Sequence, residues 1–512
     1  MKHRRRRRSL LITIPCSLLL FGLVVTCSYI SNRFSGNSTS DTFFLQDDLS
    51  ENGTIINCTA YTPDAFPQGV FNESQLARGA FLINVVVAIY LFGVIAIVCD
   101  DYYVPSLEVI CQKLRLSQDV AGATFMAAGS SAPELFTSVI GVFVAKGDIG
   151  LGTIIGSAVF NLFFIIGLCG LLTNAVIHLN WWAVTRDCMC YLISVAALVG
   201  VMEDSLIKWY ESLILLVLYV AYIILMFNNH KIEGFFRQRI VNFAATSSET
   251  SPLLDNKDNI HTPTSGYTSD MENIDSDAEV TIRPPTDRHT VQEEEEEGPP
   301  PSPFHIPRDN WTSLLIWILY LPSQVIFYFT IPNCKRKSWT SWYPLTFLMS
   351  LLWIGLSSYI LVWMANNVGI AFRIPDVVLG YTVLAIGNSV PDALASVLVA
   401  RNGFGDMAIS NSIGSNIFDI LLCLGLPWFL QTTVVHLGTN SFGSVVNIYN
   451  TGSLYIALML FGTVFILLFL LKITRFQLGK VLGGVLLLVY SVTIALGVFI
   501  DTYLFTSRLP RC

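Results

Sequence analysis

Residues 129–139 read GSSAPELFTSV, and residues 387–397 read GNSVPDALASV. Both stretches belong to a longer match, in which residues 122–162 align without a gap with residues 380–420 at a constant offset of 258 positions. Of the 41 aligned positions, 14 are identical. Self-similarity of this kind indicates that part of the chain is duplicated.

The composition is that of a membrane protein. The chain has 512 residues, 53% of them hydrophobic and 13% charged, whereas ordinary soluble domains carry roughly 25% charged residues. Apolar blocks of the roughly 20 residues that a bilayer crossing needs recur along the chain, which excludes a plain soluble enzyme. Residues 229–309 sum to a net charge of −9 and the rest to +2, so the charge indicates no nucleic-acid partner. The 11 cysteines are scattered, without a CxxC or Cys/His cluster, and predict no structural zinc.

The N-terminus sets the predicted sidedness. Residues 3–8 read HRRRRR and precede a long apolar run, so residues 1–30 are predicted to form a signal peptide or signal anchor. The following segment, residues 31–76, is then extracellular or lumenal. It carries four glycosylation sequons, which agree with this placement, at Asn37, Asn52, Asn57 and Asn72.

Apolar blocks lie on both sides of the acidic insert. Five blocks within residues 77–228 predict five crossings that end in the cytosol, where residues 229–310 form a Ser/Thr/Glu/Pro-rich linker predicted to be disordered. Six blocks follow. The first, Trp311–Ile331, contains Pro322 and is flanked by that linker and by Lys335-Arg336-Lys337. Because basic residues favour the cytosolic side, residues 311–342 are predicted to be an interfacial or re-entrant segment with a basic linker.

The remaining blocks give an all-α polytopic protein of five plus five transmembrane helices. The second set lies within residues 343–500, and residues 501–512 form an outer tail. With five spans before the second half, the repeats at 122–162 and 380–420 enter the membrane from opposite sides. This is the inverted-topology repeat of secondary transporters, whose substrate site lies near mid-membrane where the two copies meet.

Each copy interrupts an apolar helix with Gly, Ser and Pro just before a carboxylate, Glu134 in the first copy and Asp392 in the second. Proline lacks an N–H and frees a carbonyl one turn earlier, so each break offers carbonyl, hydroxyl and carboxylate oxygens together. Such ligands suit hard cations such as Ca²⁺ and Na⁺. The alternative is a pair of helix-end carboxylates held by local hydrogen bonds.

A third carboxylate breaks the symmetry of the repeat. GSAVFNL at residues 156–162 aligns with GSNIFDI at residues 414–420, so Asn161 is the counterpart of Asp419. Glu134, Asp392 and Asp419 supply three negative charges, of which one Ca²⁺ needs two, and the third is left for a monovalent cation. The alternative for Asp419 is a protonated or hydrogen-bonded interior side chain.

Other polar residues of the repeats permit simpler explanations. Ser138 and Ser396 fit close helix packing as well as ion binding. Asp148 and Asp406 stand at short turns, where an N-cap role is the stronger prediction. Residues 403–406 also spell GFGD, which resembles the GxGD motif of intramembrane aspartyl proteases. That enzyme needs a partner Asp, usually after Tyr, and the chain has no Tyr-Asp pair.

The two repeats resemble the alpha-repeats of the potassium-dependent sodium/calcium exchangers, within the cation/calcium exchanger superfamily. The resemblance is carried by AGATFMAAGSSAPELFTSVIGVFVAKGDIG from residue 121, and by VLAIGNSVPDALASVLVARNGFGDMAISNSIGSNIFDI from residue 383. It implies the cation/calcium exchanger fold and exchange of Na⁺ for Ca²⁺ plus K⁺ by alternating access, as part of calcium homeostasis. It implies transported ions and a lipid bilayer but no cofactor and no catalysed reaction.

The resemblance also assigns the site. Glu134 and Asp392 would coordinate Ca²⁺ and alternately Na⁺, and Asp419 would mark potassium dependence. The other implied ligands are Ser130, Ser131, Ser157, Asn161, Asn388, Ser389 and Ser415, of which Ser130 and Asn388 would act through backbone carbonyls. Asn388 departs from the family, which commonly has Thr there.

Alternatives remain open at this level. A potassium-independent or proton-coupled calcium exchanger would share the fold, and a channel is a different class. The plasma membrane is the predicted location, with trans-Golgi or endolysosomal membranes as the alternative, since ETSPLL at residues 249–254 fits an acidic dileucine motif for adaptor binding through Glu249, Leu253 and Leu254. Cys58 and Cys512, both predicted to lie outside, could form a disulfide, and the alternative is two unpaired thiols.

Overall fold

The computed structural model describes residues 66–67, 71–72, 75–114, 127–145, 147–173, 176–228, 232, 311–372, 374–401, 403–437, 445–448 and 452–501. The predicted signal segment, the linker motif at 249–254, Cys58, Cys512 and the first three sequons lie outside these residues. The backbone of Asn72, the fourth sequon, is described: its N–H donates a hydrogen bond to Gln75 Oε1 at 3.1 Å, and the residue is exposed.

The described residues form eleven apolar helices, one for each predicted block. Those of the first half are α1 Arg78–Lys113, α2 Ala132–Ala145, α3 Ile149–Leu172, α4 Trp181–Met202 and α5 Trp209–Phe227. Those of the second half are α6 Trp311–Thr330, α7 Tyr343–Phe372, α8 Asp376–Arg401, α9 Gly405–Thr433, α10 Gly452–Ile473 and α11 Lys480–Phe499. Nine helices in this part of the chain are long and apolar enough to cross a membrane, or ten if the bent α8 counts as one span. The prediction of an all-α polytopic membrane protein is confirmed.

Helix α6 is continuous through Pro322 and packs along α1. The Tyr320 ring stacks on Tyr90 with 5.2 Å between centroids, and Phe327 meets Tyr102 edge-on at 6.5 Å. These contacts run in the same chain direction on both helices, so α6 follows α1 over part of its length. On which side of the membrane each end of α6 lies stays a prediction.

The sequence did not predict strands, but four two-residue strands join the loops of the two halves. β1 Ile177–His178 pairs with β4 Gln477–Leu478, and β2 Leu206–Ile207 pairs with β3 Val446–Asn447, both antiparallel. The first pair links the α3–α4 loop with the α10–α11 loop. The second links the α4–α5 loop with the α9–α10 loop. If the two halves of the chain exchanged places, each strand pair would therefore take the position of the other.

The two strand pairs also agree in backbone detail. Leu179 N–H donates to Phe476 O at 2.9 Å, and Ile448 N–H donates to Ser205 O at 3.0 Å. Both acceptors lie just before a strand and have a left-handed backbone, with φ of 58° at Phe476 and 57° at Ser205. This agreement is what a duplicated pair of halves produces, and it lies beyond the stretch in which the sequences match.

Helices α3 and α9 form the centre of the structure. In their apolar stretches of 18 residues, 83% and 78% of the residues are buried, whereas the corresponding fraction in α5 is 22%. The backbone of α3 lies directly on that of α8. A Cβ on Gly152 or Gly156 would lie 2.5 Å from Val377 O or 2.3 Å from Tyr381 O, respectively. Glycine at these positions permits the close helix contact, which brings the two repeats together.

Candidate cation site

Each repeat breaks its helix at the same position and in the same way. Ser131 has φ −93° and ψ 14°, and its counterpart Ser389 has φ −83° and ψ 4°. Both values lie in the bridge region of backbone space, which ends one helical segment and permits the next to start at an angle. At Ser389 the two segments of α8 are bent by 43°. Pro133 and Pro391 follow two residues later and supply no N–H, so the carbonyl four residues before each proline lacks its usual donor.

The three predicted carboxylates are buried around these breaks. Glu134 and Asp392 are each 1% exposed, and Asp419, which opens a π-helical turn over Asp419–Leu424, is 0% exposed. Glu134 lies within electrostatic range of both aspartates. In the described part of the chain, no Lys or Arg forms an ion pair with any of the three. Buried charge without a partner costs several kcal/mol, so the three carboxylates would be stable in their charged form only beside cations.

Hydrogen bonds at the breaks run from one repeat to the other. Ser389 Oγ donates to Glu134 Oε1 at 3.4 Å, and Asn388 Nδ2 donates to Thr137 Oγ1 at 3.0 Å. Polar groups at the break in α8 therefore orient the carboxylate-bearing turn of α2. The side chain of Asn388, a departure from the family pattern, is engaged through its nitrogen, and its Oδ1 has no hydrogen-bond partner.

The repeats are also joined at the Asn161 position. Asn161 lies in a π-helical turn over Phe160–Ile165, as Asp419 lies in the matching turn of α9. Its Nδ2 donates to Asn416 Oδ1 at 2.9 Å and to Ser415 Oγ at 3.3 Å. Turns of this kind inside α-helices often mark functional sites. Here they bring a polar side chain from each repeat towards the centre.

Many buried oxygens of the site lack a hydrogen-bond donor. They are Ser131 Oγ, Glu134 Oε2, Asn161 Oδ1, Asn388 Oδ1, Asp392 Oδ1, Asp392 Oδ2 and Asp419 Oδ2. Buried polar atoms normally have partners, and a concentration of unpartnered acceptors requires an explanation. Ser130 and Ser131 interact with the carboxylates of Asp392 and Asp419, respectively, without forming hydrogen bonds of ordinary geometry. A hard cation binds such oxygens.

The remaining predicted hydroxyls, those of Ser157 and Ser415, donate hydrogen bonds within their own helices. Ser157 Oγ and Ser415 Oγ donate to helix carbonyls, Ile154 O at 2.9 Å and Ser412 O at 3.1 Å. Ser157 Oγ keeps both lone pairs, whereas one lone pair of Ser415 Oγ accepts from Asn161 Nδ2. The described residues contain no metal-ligating group of three or more His, Cys, Asp or Glu side chains. Among the ten predicted ligand residues, seven would supply hydroxyl, amide or carbonyl oxygens and three carboxylates.

Comparison with known proteins identifies the family. The family model described as sodium/calcium exchanger protein matches residues 84–228 and 342–499, which is more than half of the chain. The chain belongs to this family. It is 37% identical to human sodium/potassium/calcium exchanger 3, over 89% of this chain and 86% of that protein, and 39% identical to human sodium/potassium/calcium exchanger 5, over 86% and 87%. The predicted family is confirmed.

A solved structure also aligns with this exchanger-family chain. It is the sodium-calcium exchanger NCX_Mj, with 20% identity, a TM-score of 0.40, and coverage of 82% of this chain and 98% of its own. The assignment to the family rests on the sequence matches.

The two residues predicted to be N-caps, Asp148 and Asp406, have different roles in the structure of this exchanger-family chain. Asp148 occupies the N-cap position of α3, as predicted, although its side chain accepts no capping hydrogen bond from the N–H groups of that helix. The N-cap prediction is wrong for Asp406, because Phe404 precedes the helix and Asp406 lies in its first turn. Asp406 Oδ1 instead accepts from the N–H of Asn180, the N-cap of α4, at 2.7 Å. That contact fastens α9 to α4.

Of the two packing serines, Ser396 pairs with Ser412 through their hydroxyls at 3.4 Å, and Ser138 Oγ has no hydrogen-bond partner. Both are buried. The Ser396 contact fits the packing explanation, and both explanations stay open for Ser138.

Sequence reasoning missed two residues beside Asp419. Cys423 Sγ lies 3.7 Å from Asp419 Oδ1, and its position four residues later on the same helix could have revealed it. Tyr191 of α4 is 0% exposed, its hydroxyl has no hydrogen-bond partner, and it lies within electrostatic range of Asp419. No sequence signal pointed to Tyr191, because α4 lies outside the matching stretches.

Proposed function

We propose that this member of the sodium/calcium exchanger family is an antiporter that exchanges Na⁺ for Ca²⁺ plus K⁺ by alternating access. One observation carries the proposal: the two repeats bring three carboxylates and a set of buried oxygens without a hydrogen-bond donor together in the centre of the helices. The names of the relatives, sodium/potassium/calcium exchangers, support the same ions.

The charges account for the ion balance. Glu134 and Asp392 neutralise one Ca²⁺, and Asp419 supplies the charge for a K⁺ beside it. Na⁺ ions use the same oxygens in turn. The proposed ligand set adds the carbonyls of Ser130 and Asn388, the hydroxyls of Ser131, Ser157, Ser389 and Ser415, and the amide oxygen of Asn161.

Obligatory exchange follows from the cost of the empty site. Three buried carboxylates without cations would each carry a penalty of several kcal/mol. The ion-free protein therefore resists the change of access, and one ion set leaves only when another replaces it. The carboxylates are at most 1% exposed, which corresponds to an occluded arrangement between the two openings. The inward Na⁺ gradient supplies the energy.

The decisive experiment is ⁴⁵Ca uptake into proteoliposomes loaded with Na⁺, with and without external K⁺. We expect uptake only when Na⁺ can leave the vesicles and K⁺ is present with Ca²⁺. Uptake independent of K⁺ would favour the potassium-independent exchanger, and uptake driven by a proton gradient would favour the proton-coupled one. Calcium flux that needs no counter-ion would identify a channel and contradict the proposal.

The membrane in which exchange takes place is proposed from the sequence alone. The plasma membrane is the default, and ETSPLL at residues 249–254 is the signal that would send the protein to trans-Golgi or endolysosomal membranes instead. Surface biotinylation of a Leu253→Ala/Leu254→Ala variant tests this. If the fraction at the cell surface does not rise, the motif has no sorting role.

A further inference from the structure

The thiol of Cys423 is placed between the two repeats at the Asp419 end of the site. Cys423 is 0% exposed, and its Sγ lies 3.7 Å from Asp419 Oδ1 and 3.8 Å from the backbone oxygen of Ser131. The oxygens described above suit hard cations, but a sulfur ligand favours soft ones. The site therefore carries a feature that Ca²⁺, Na⁺ and K⁺ do not require.

The spacing of these atoms fits a single soft divalent ion. In a tetrahedral zinc site, a Zn–S bond of about 2.3 Å and a Zn–O bond of about 2.1 Å place the two ligand atoms roughly 3.6 Å apart, and the larger Cd²⁺ needs a slightly wider pair. The observed distance from Cys423 Sγ to Asp419 Oδ1 is 3.7 Å. Further oxygens are at hand, since the buried Asp419 Oδ2 and Ser131 Oγ have no hydrogen-bond partner.

We propose that Cys423, Asp419 and the Ser131 carbonyl form a binding site for thiophilic divalent cations such as Cd²⁺, and that occupation of this site blocks exchange. On binding, the cation replaces the proton of the Cys423 thiol, and that proton leaves to water. The thiolate and the Asp419 carboxylate then balance the two positive charges. Because the site joins α9 to the helix break in the other repeat, the bound ion would hold the repeats together. The inference that the bound cation blocks exchange rests on the proposed function, whereas the inference that the cation binds does not.

A second thiol provides a check on this assignment. Cys99 of α1 is 1% exposed and lies within electrostatic range of Glu134 and Asp392. It therefore borders the other two carboxylates of the site. Cys169 of α3 is equally buried, at 1%, and serves as a matched thiol without a neighbouring carboxylate.

The first test measures inhibition of Na⁺-dependent ⁴⁵Ca uptake by CdCl₂, with each variant compared with its own uninhibited rate. Loss of even an indirect partner of a metal ligand typically costs 10- to 100-fold in affinity, so Cys423→Ser should raise the half-inhibitory Cd²⁺ concentration at least about tenfold. Cys169→Ser should leave it unchanged. Competition by Sr²⁺, a hard cation, should be the same in all variants. An unchanged Cd²⁺ response in Cys423→Ser, or a loss of response in Cys99→Ser alone, overturns the proposal.

The second test does not depend on transport. CdCl₂ is added to the purified full-length protein, and the ultraviolet charge-transfer absorption of the cadmium–thiolate bond is recorded. The band should be present in the wild type and in Cys169→Ser and absent in Cys423→Ser. If Cys423→Ser does not fold, Cys423→Ala replaces it. A wild type without Na⁺-driven uptake but with this band would contradict the proposed function and support the cation site, whereas a band that persists without Cys423 refutes the site.

Discussion

The two repeats have nearly the same backbone but different charges. Ser131 and Ser389 break their helices with φ and ψ values that agree within about 10°, and π-helical turns present Asn161 and Asp419 at matching places. Asn161, however, is a neutral hydrogen-bond donor to the other repeat, and Asp419 is an acceptor beside a thiol. In the proposed mechanism, the symmetric frame permits access from either side, and the one asymmetric charge decides which ions the site balances.

The packing of the repeats differs as well. A Cβ on Gly156 would lie 2.3 Å from Tyr381 O, whereas on its counterpart Gly414 the nearest atom would be Tyr222 Oη at 3.4 Å. At Gly156, α3 is therefore pressed against the backbone of α8, whereas at Gly414 α9 has ordinary van der Waals space. The same glycine of the repeated motif therefore has a different packing environment in each repeat.

The largest effect is expected from removing the carboxylate that both repeats have, Glu134 in the first and Asp392 in the second. Glu134→Gln or Asp392→Asn should abolish Na⁺-dependent ⁴⁵Ca uptake, because Ca²⁺ would then face only one carboxylate of that pair. Uptake is normalised to folded protein. Glu203→Gln, an exposed carboxylate in the α4–α5 loop, is the control and should behave as wild type. Substantial uptake in either site variant would show that the repeats do not contribute equally to Ca²⁺ binding.

The next prediction removes the difference between the repeats. Asp419→Asn gives the second repeat the neutral amide of the first with almost no change in shape. Ca²⁺ would still be neutralised by Glu134 and Asp392, so Na⁺-driven uptake should persist but lose its dependence on K⁺. ⁴⁵Ca uptake with and without K⁺ measures this. A variant still fully dependent on K⁺ would disprove the assignment of the third charge.

A third prediction concerns stability. Gly156→Ala forces a methyl group onto the Tyr381 carbonyl and should destabilise the protein by about 1–3 kcal/mol, as overpacking does. Gly414→Ala has room for the methyl group and gains up to about 1 kcal/mol of helix propensity. Thermal unfolding of the two purified variants in the same detergent compares them. Equal losses of stability would mean that the packing difference has no energetic weight.

The smallest effect is expected from tags in the segment that precedes the second half. Short tags at residue 270 and after Lys337 should leave uptake close to wild type, since the tagged positions lie far along the chain from the site. Both should be labelled only from the cytosol if residues 311–342 do not cross the membrane. Labelling of the second tag from outside would mean that α6 crosses, which its length and its packing along α1 permit.

Much of the site was predictable because duplication repeats its chemistry. Glu134, Asp392 and Asp419 are carboxylates within apolar stretches, and comparison of the copies separates them from the background. Asp406 was assigned wrongly as an N-cap because the sequence does not show at which residue the helix after a turn begins. Here the helix begins at Gly405, one residue before Asp406. The short strand pairs were not predictable, since two residues carry no periodic signal.

The sequence by itself determined the helical membrane fold, the duplication and the three carboxylates, because hydropathy and repeated motifs are local along the chain. Only the tertiary structure decided which groups meet. It paired Asn388 with Thr137 and Asn161 with Asn416, each across more than 250 positions of the chain. It also brought Tyr191 towards Asp419, and it extended the correspondence of the halves to their last two helices through the strand pairs. Such contacts depend on how helices pack against each other, and a sequence read residue by residue contains no record of that packing.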